Sequence, residues 1–138
     1  MSVSMFSQSS GWVKVDCDFT KMLSFDELFL SETKNISNLT EGWLLINYND
    51  YGSAGSLCYI SIIAKGQNKT TGKTVTLFDG NKYSHFEDVS VFYDSSDKKI
   101  AVRNKFGEYI CLIIYDKDSD IHTLCIEDLT YFVNQSPN

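Results

Sequence analysis

The chain has 138 residues, with 18 acidic against 12 basic side chains and a formal net charge of -6; its overall field repels a phosphate backbone, which argues against nucleic acid as a partner. That length suits one domain, large enough to bury most of its apolar surface without metals or disulfides as staples. Aromatic residues make up 14%, including 8 Tyr and 9 Phe, and such side chains favour pleated sheet and supply large contact areas.

Residues 1–10 read as a flexible, Ser-rich lead that lacks the basic region and long apolar core of a secretory signal. A single domain is expected over 11–133, with a tail at 134–138. Gly11-Trp12-Val13-Lys14-Val15-Asp16-Cys17 alternates as a half-buried strand should, and opens the sheet. Ser24-Phe25-Asp26-Glu27-Leu28-Phe29-Leu30 fits either a short helical turn, with Ser24 and Glu27 as a capping box, or a bent strand. Polar residues from Ser31 to Glu41 form a loop. Strands are then expected over Trp43 to Tyr48, Ser56 to Ala64, Lys73 to Phe78, Phe86 to Tyr93, Lys99 to Arg103, Tyr109 to Tyr115, Ile121 to Ile126 and Leu129 to Val133. With the opening strand this makes about nine, at the spacing of sandwiches and barrels. The hairpins Val91 to Ile100 and Leu112 to Ile121 each run an apolar strand into Tyr-Asp and a short Asp- and Ser-rich turn. The fold class is therefore all-β: an antiparallel β-sandwich or jelly roll with at most one short helix, because so many amphipathic strands need a second layer. The apolar runs, such as Ile110 to Tyr115, fall far short of the roughly 20 residues of a membrane helix, so no membrane insertion is expected.

Asp116, Asp118 and Asp120, with Glu127, occupy positions 1, 3, 5 and 12 of a pattern resembling an EF-hand loop, which makes the three aspartates weak metal candidates. Ile121 stands where that loop needs glycine. If Ile121 to Ile126 is a strand, Glu127 lies roughly 23 Å from Asp120, too far to share an ion. The two histidines, His85 and His122, lack metal-ligand spacing. Cys58 or Cys111 beside His85 would be a nucleophilic pair, but both cysteines sit in apolar runs and read as buried free thiols. The glycosylation patterns at Asn35, Asn38 and Asn68 read as chance matches. No catalytic signature, phosphate loop or cofactor motif is present, so the expectation is no enzyme and no cofactor. The best binding patch is the loop around Tyr48, Asn49, Asp50 and Tyr51, where aromatics, amide and carboxylate combine as a sugar site requires. Its tyrosines read first as covers for the end of the core. Trp12 and Trp43 each follow a glycine at a strand start and read as plugs at the ends of a sandwich.

Gly11-Trp12-Val13-Lys14-Val15, Gly42-Trp43-Leu44-Leu45-Ile46-Asn47-Tyr48, Gly55-Ser56-Leu57-Cys58-Tyr59-Ile60 and Val89-Ser90-Val91-Phe92-Tyr93-Asp94 together resemble the terminal β-sandwich modules of bacteriophage head-fibre and tail-fibre proteins. The resemblance implies a non-enzymatic, homotrimeric fibre knob on the virion, assembled in the host cytoplasm and adhering to host-surface glycans. Trimer packing would also account for the aromatic excess. The alternative is a monomeric carbohydrate-binding or lectin-like module of a secreted bacterial protein.

Overall fold

A computed structural model describes residues 11–31, 36 and 38–135. The expected lead at 1–10, the sequon at Asn35 and positions 136–138 lie outside the described residues. Eleven strands are found among them: β1 (Val13–Lys14), β2 (Phe19–Ser24), β3 (Glu27–Leu30), β4 (Leu39–Asp50), β5 (Ser56–Gln67), β6 (Thr74–Asp79), β7 (Ser84–Glu87), β8 (Ser90–Asp94), β9 (Lys99–Arg103), β10 (Tyr109–Asp116) and β11 (Ile121–Ile126). They form the two packed layers of a β-sandwich. One sheet runs β1-β8-β9-β10-β11-β3; the other runs β2-β4-β5, with β6 and β7 both on the far edge of β5. Every pairing is antiparallel except β11 with β3.

The two Asp-rich hairpins share one turn chemistry. Asp94 Oδ1 accepts from the Ser96 amide at 3.1 Å, and Asp116 Oδ1 from the Asp118 amide at 3.0 Å. Each tip ends on a left-handed residue, Lys98 (φ 53) or Asp120 (φ 57). A short polar side chain that holds its own backbone supplies the reversal without glycine.

The opening strand is only Val13–Lys14, with Val13 and Cys17 exposed rather than half-buried, β2 is a strand where none was expected, and β4 begins at Leu39, inside the expected loop. Three further segments depart from their expected form. The ambiguous stretch at 24–30 is the bent strand, not the helical turn: the chain leaves one sheet after β2 and enters the other as β3. Phe25 N donates to Gly42 O (3.1 Å), and Asp26 exchanges two bonds with the His122 backbone (2.8 and 3.0 Å). A β-carbon at Gly42 would strike the Phe25 carbonyl and come within 2.8 Å of its ring, so glycine permits this crossing. The stretch expected as one strand over 86–93 breaks at Asp88 (φ 55) into β7 in one sheet and β8 in the other. Ser56 Oγ holds the break by donating to Val89 O (2.9 Å) and accepting from Val89 N (3.0 Å). The expected last strand, Leu129 to Val133, is instead a pair of 3-10 turns within Leu129–Gln135, kinked at Phe132. Asp128 starts them by accepting from the Thr130 amide at 3.0 Å, and Phe132 is buried as a seal on one end of the core.

Inward positions follow the strand period of two. Leu44, Ile46, Ile60 and Ile62 from one sheet face Val91, Ile100, Val102, Ile113 and Leu124 from the other, all 0–1% exposed. At about 1.5–3 kcal/mol for each fully buried aliphatic side chain, this seam is the main favourable term in folding.

Candidate functional site

The loop patch read from the sequence does not assemble as a stacking platform. Tyr48 points inward from β4 and is only 4% exposed; burial first, then the neighbouring Asp50 carboxylate, push its hydroxyl pKa up. Its ring covers the end of the core, while Tyr48 and Asp50 together line a surface groove of about 350 Å³ with Lys14, Asp16 and Ser56. Asp50 Oδ1 is occupied by the Gly52 amide (2.7 Å), and the Asp50 amide donates to Asp18 Oδ1 (3.1 Å). Asn49 Nδ2 reaches Asn47 Oδ1 at 3.4 Å. Of the four candidates only Tyr51, 57% exposed at the hairpin tip, offers an open ring.

The aspartate turn is organised around its own backbone. Asp116 also accepts from the Ser119 hydroxyl (2.8 Å), and this bond, then the Asp118 amide, holds its carboxyl below the usual range. Asp120 Oδ1 accepts from the Tyr115 hydroxyl (2.7 Å), which pushes that phenol pKa up. No group of three His, Cys, Asp or Glu side chains among the described residues converges as a metal site. Cys58 and His85 sit on neighbouring strands but on opposite faces of the sheet. Cys58 is inward and its thiol is pushed up to about 12 by burial; Cys111 is inward and raised for the same reason. His85 is outward and exposed. Neither cysteine forms a nucleophile–base pair with it.

The outer face of β2-β4-β5-β7 carries a second arrangement, richer in aromatic rings. Register aligns Thr20, Asn47, Tyr59 and His85 in one cross-strand row, with Met22 and Leu45 in the row beside it. Tyr59 stacks on His85, with ring centroids 5.1 Å apart and planes at 20°. Tyr83 meets Tyr59 edge-on at 6.5 Å and 82°. Tyr83 arrives there because β6 and β7 follow the same edge of β5, and the four residues between them, opposite Ser61 and Ile62, fold over the outer face. Ser61 Oγ donates to Gly80 O (3.1 Å), and Gly80, at φ 75, lies against the outward Ile63. The result is a shallow cleft of about 290 Å³ lined by Thr20, Leu45, Asn47, Tyr59 and Tyr83.

Trp43, 37% exposed, lies on the same face two residues before Leu45. Trp12, half-buried, lies on the outer face of the other sheet with Lys99 Nζ 5.4 Å from its ring centre. Neither tryptophan plugs an end of the sandwich; that place is taken by Phe132. The signal for the outer face was present in the sequence as apolar residues on both faces of β4 and β5, a pattern that marks strands with something on either side.

Aromatic faces beside an amide and a hydroxyl match the two kinds of surface a sugar presents, its C–H face and its hydroxyl rim. Comparison with protein-family models, with curated proteins and with solved structures returned no match to this chain.

Proposed function

We propose that the chain is a non-enzymatic adhesive β-sandwich, a homotrimeric fibre knob of the virion, that holds host-surface glycans on the outer face of β2-β4-β5-β7. The observation that carries the glycan reading is the cleft between Tyr59 and Tyr83, with Asn47 and Thr20 at its side. The Tyr59 ring is braced by its stack on His85, so binding spends little entropy on ordering it. Both histidines have structural engagements: His85 in that stack, and His122 through a 3.2 Å contact between Nε2 and Asp97 O and a stack on Tyr115.

Self-association is supported by the opposite sheet. Leu112, Cys125 and Phe29 form an outward cross-strand row across β10, β11 and β3, next to Ile114, which is 43% exposed. An apolar row of this kind suits burial against a second copy. The direct test of the glycan reading is a titration of the intact chain with a panel of neutral oligosaccharides, comparing wild type with Tyr83→Ala. The expected result is at least a tenfold loss, about 1.4 kcal/mol. Equal affinity in the two proteins would remove the cleft from the proposal.

A further inference from the structure

The outer face of the other sheet holds a second cleft, of about 210 Å³, lined by Trp12, Phe92, Ala101, Arg103 and Tyr109. We propose that it binds an acidic sugar, with the carboxylate on Arg103 and the sugar ring against Trp12 and the apolar floor. This site lies on the opposite sheet from the Tyr59–Tyr83 cleft, and its test does not depend on that one.

Arg103 is the sole arginine of the chain. Its guanidinium is positioned by the protein: Nε and Nη2 donate to Gly107 O at 3.2 and 3.0 Å, and its central carbon stands 5.4 Å from the Tyr109 ring centre. Gly107 adopts φ 82, a conformation that favours glycine, so the turn presenting this carbonyl is itself specified. No carboxylate among the described residues forms an ion pair with Arg103, although acidic residues outnumber basic ones. The nearby Lys99 is by contrast paired with Asp94 (3.8 Å) and Asp97 (3.4 Å). Glu108, the acidic neighbour in the β9–β10 turn, accepts from Asn104 Nδ2 at 2.9 Å. The Gly107 bonds use the Nε–Nη2 edge of the guanidinium, so a carboxylate would take the other edge, Nη1–Nη2, which can also form two parallel bonds.

The floor selects the rest of the ligand. Ala101 occupies an outward position of β9 yet is only 4% exposed, because Phe92 and Leu112 flank it in register and Trp12 stands over the same cleft. A small residue between larger ones leaves a depression with an aromatic wall, the shape that receives the C–H face of a sugar. A second groove of about 240 Å³ shares Phe92 and Arg103 and adds Lys105, which extends the cationic side.

The two tryptophans serve as reporters, since Trp12 lies in this cleft and Trp43 on the other outer face. The test is a titration of the ¹⁵N-labelled intact chain with a hexuronate-terminated oligosaccharide, its neutral hexose counterpart and a sulfated counterpart, at fixed ionic strength. The expected result is that the uronate shifts the Trp12 indole signal, that neither counterpart does so at equal concentration, and that Arg103→Gln weakens the uronate about 10- to 100-fold. Ala101→Leu, which fills the floor and keeps the arginine, is expected to abolish the Trp12 response while leaving any Trp43 response and the dispersed amide spectrum of the folded chain in place. Equal response to the neutral sugar, stronger response to the sulfated one, or an unchanged affinity in Ala101→Leu would each overturn the proposal.

Discussion

Replacing Phe132 by alanine tests how the sandwich is closed. The ring is fully buried and meets Phe86 at 5.8 Å and 66°, while Tyr131 meets the same ring at 6.1 Å and 73°. Removing a buried phenylalanine costs about 3–5 kcal/mol, within which an edge-to-face pair accounts for about 0.5–1.5. A domain of this length holds about 7–20 kcal/mol in total, so the loss is a large fraction of the whole. In equilibrium urea unfolding with a slope near 2 kcal/mol per M, the midpoint should fall by about 2 M with the slope unchanged. Tyr131→Phe is the control: it keeps the ring and removes only the hydroxyl, which accepts from Asn104 Nδ2 at 3.1 Å, at a cost of about 0.5–1.5 kcal/mol. A midpoint shift below about 0.5 M for Phe132→Ala would refute the end-sealing role of this segment.

Asp94 is 3% exposed, and burial works against its charged form. The Asp97 amide, the Ser96 hydroxyl and amide, and Lys99 outweigh that burial and hold its carboxyl below the usual range. Its contribution is complete above the ordinary aspartate value of about 3.9 and is lost as pH falls through the lower folded value. Asp94→Ala should therefore cost about 1–3 kcal/mol at neutral pH and flatten the acid limb of the stability profile, as read by thermal melts from pH 2 to 7. In native alkylation followed by mass spectrometry, exposed Cys17 should react first, while buried Cys58 and Cys111 react only on unfolding; early labelling of Cys111 would contradict the core assignment. Multi-angle light scattering should give a trimer. A monomer at high concentration would leave the glycan face standing and remove the fibre assembly.

The two Asp-turn hairpins were legible because their flanks alternate and their tips carry residues that hold a reversed backbone. The sheet crossings were not. At Phe25-Asp26 and at Asp88 the chain changes layers while its apolar alternation continues nearly unbroken, and the devices that allow the change are contacts distant in sequence, Gly42 under Phe25 and Ser56 on Val89. Leu129 to Val133 looks like a strand by composition, yet the Asp128 cap and the pull of Phe86 on Tyr131 and Phe132 wind it into turns. At the candidate site, local composition drew attention to Tyr48 and Tyr51, but strand parity sends Tyr48 inward and Tyr59 outward. Tyr83 joins Tyr59 only through the β6–β7 excursion, a consequence of two strands sharing one edge of β5 that no window of sequence displays.

The central claim is that this face of the sandwich binds glycan through paired tyrosines. Its most direct measurement is isothermal titration of the intact wild-type chain and of Tyr59→Ala and Tyr83→Ala with the best neutral oligosaccharide from a panel, with Tyr51→Ala as the exposed-loop control. Saturable binding in the wild type and in Tyr51→Ala, with at least about a tenfold loss in both cleft variants, is the expected result. Binding lost in Tyr51→Ala and kept in Tyr59→Ala and Tyr83→Ala would contradict it and return the site to the hairpin loop.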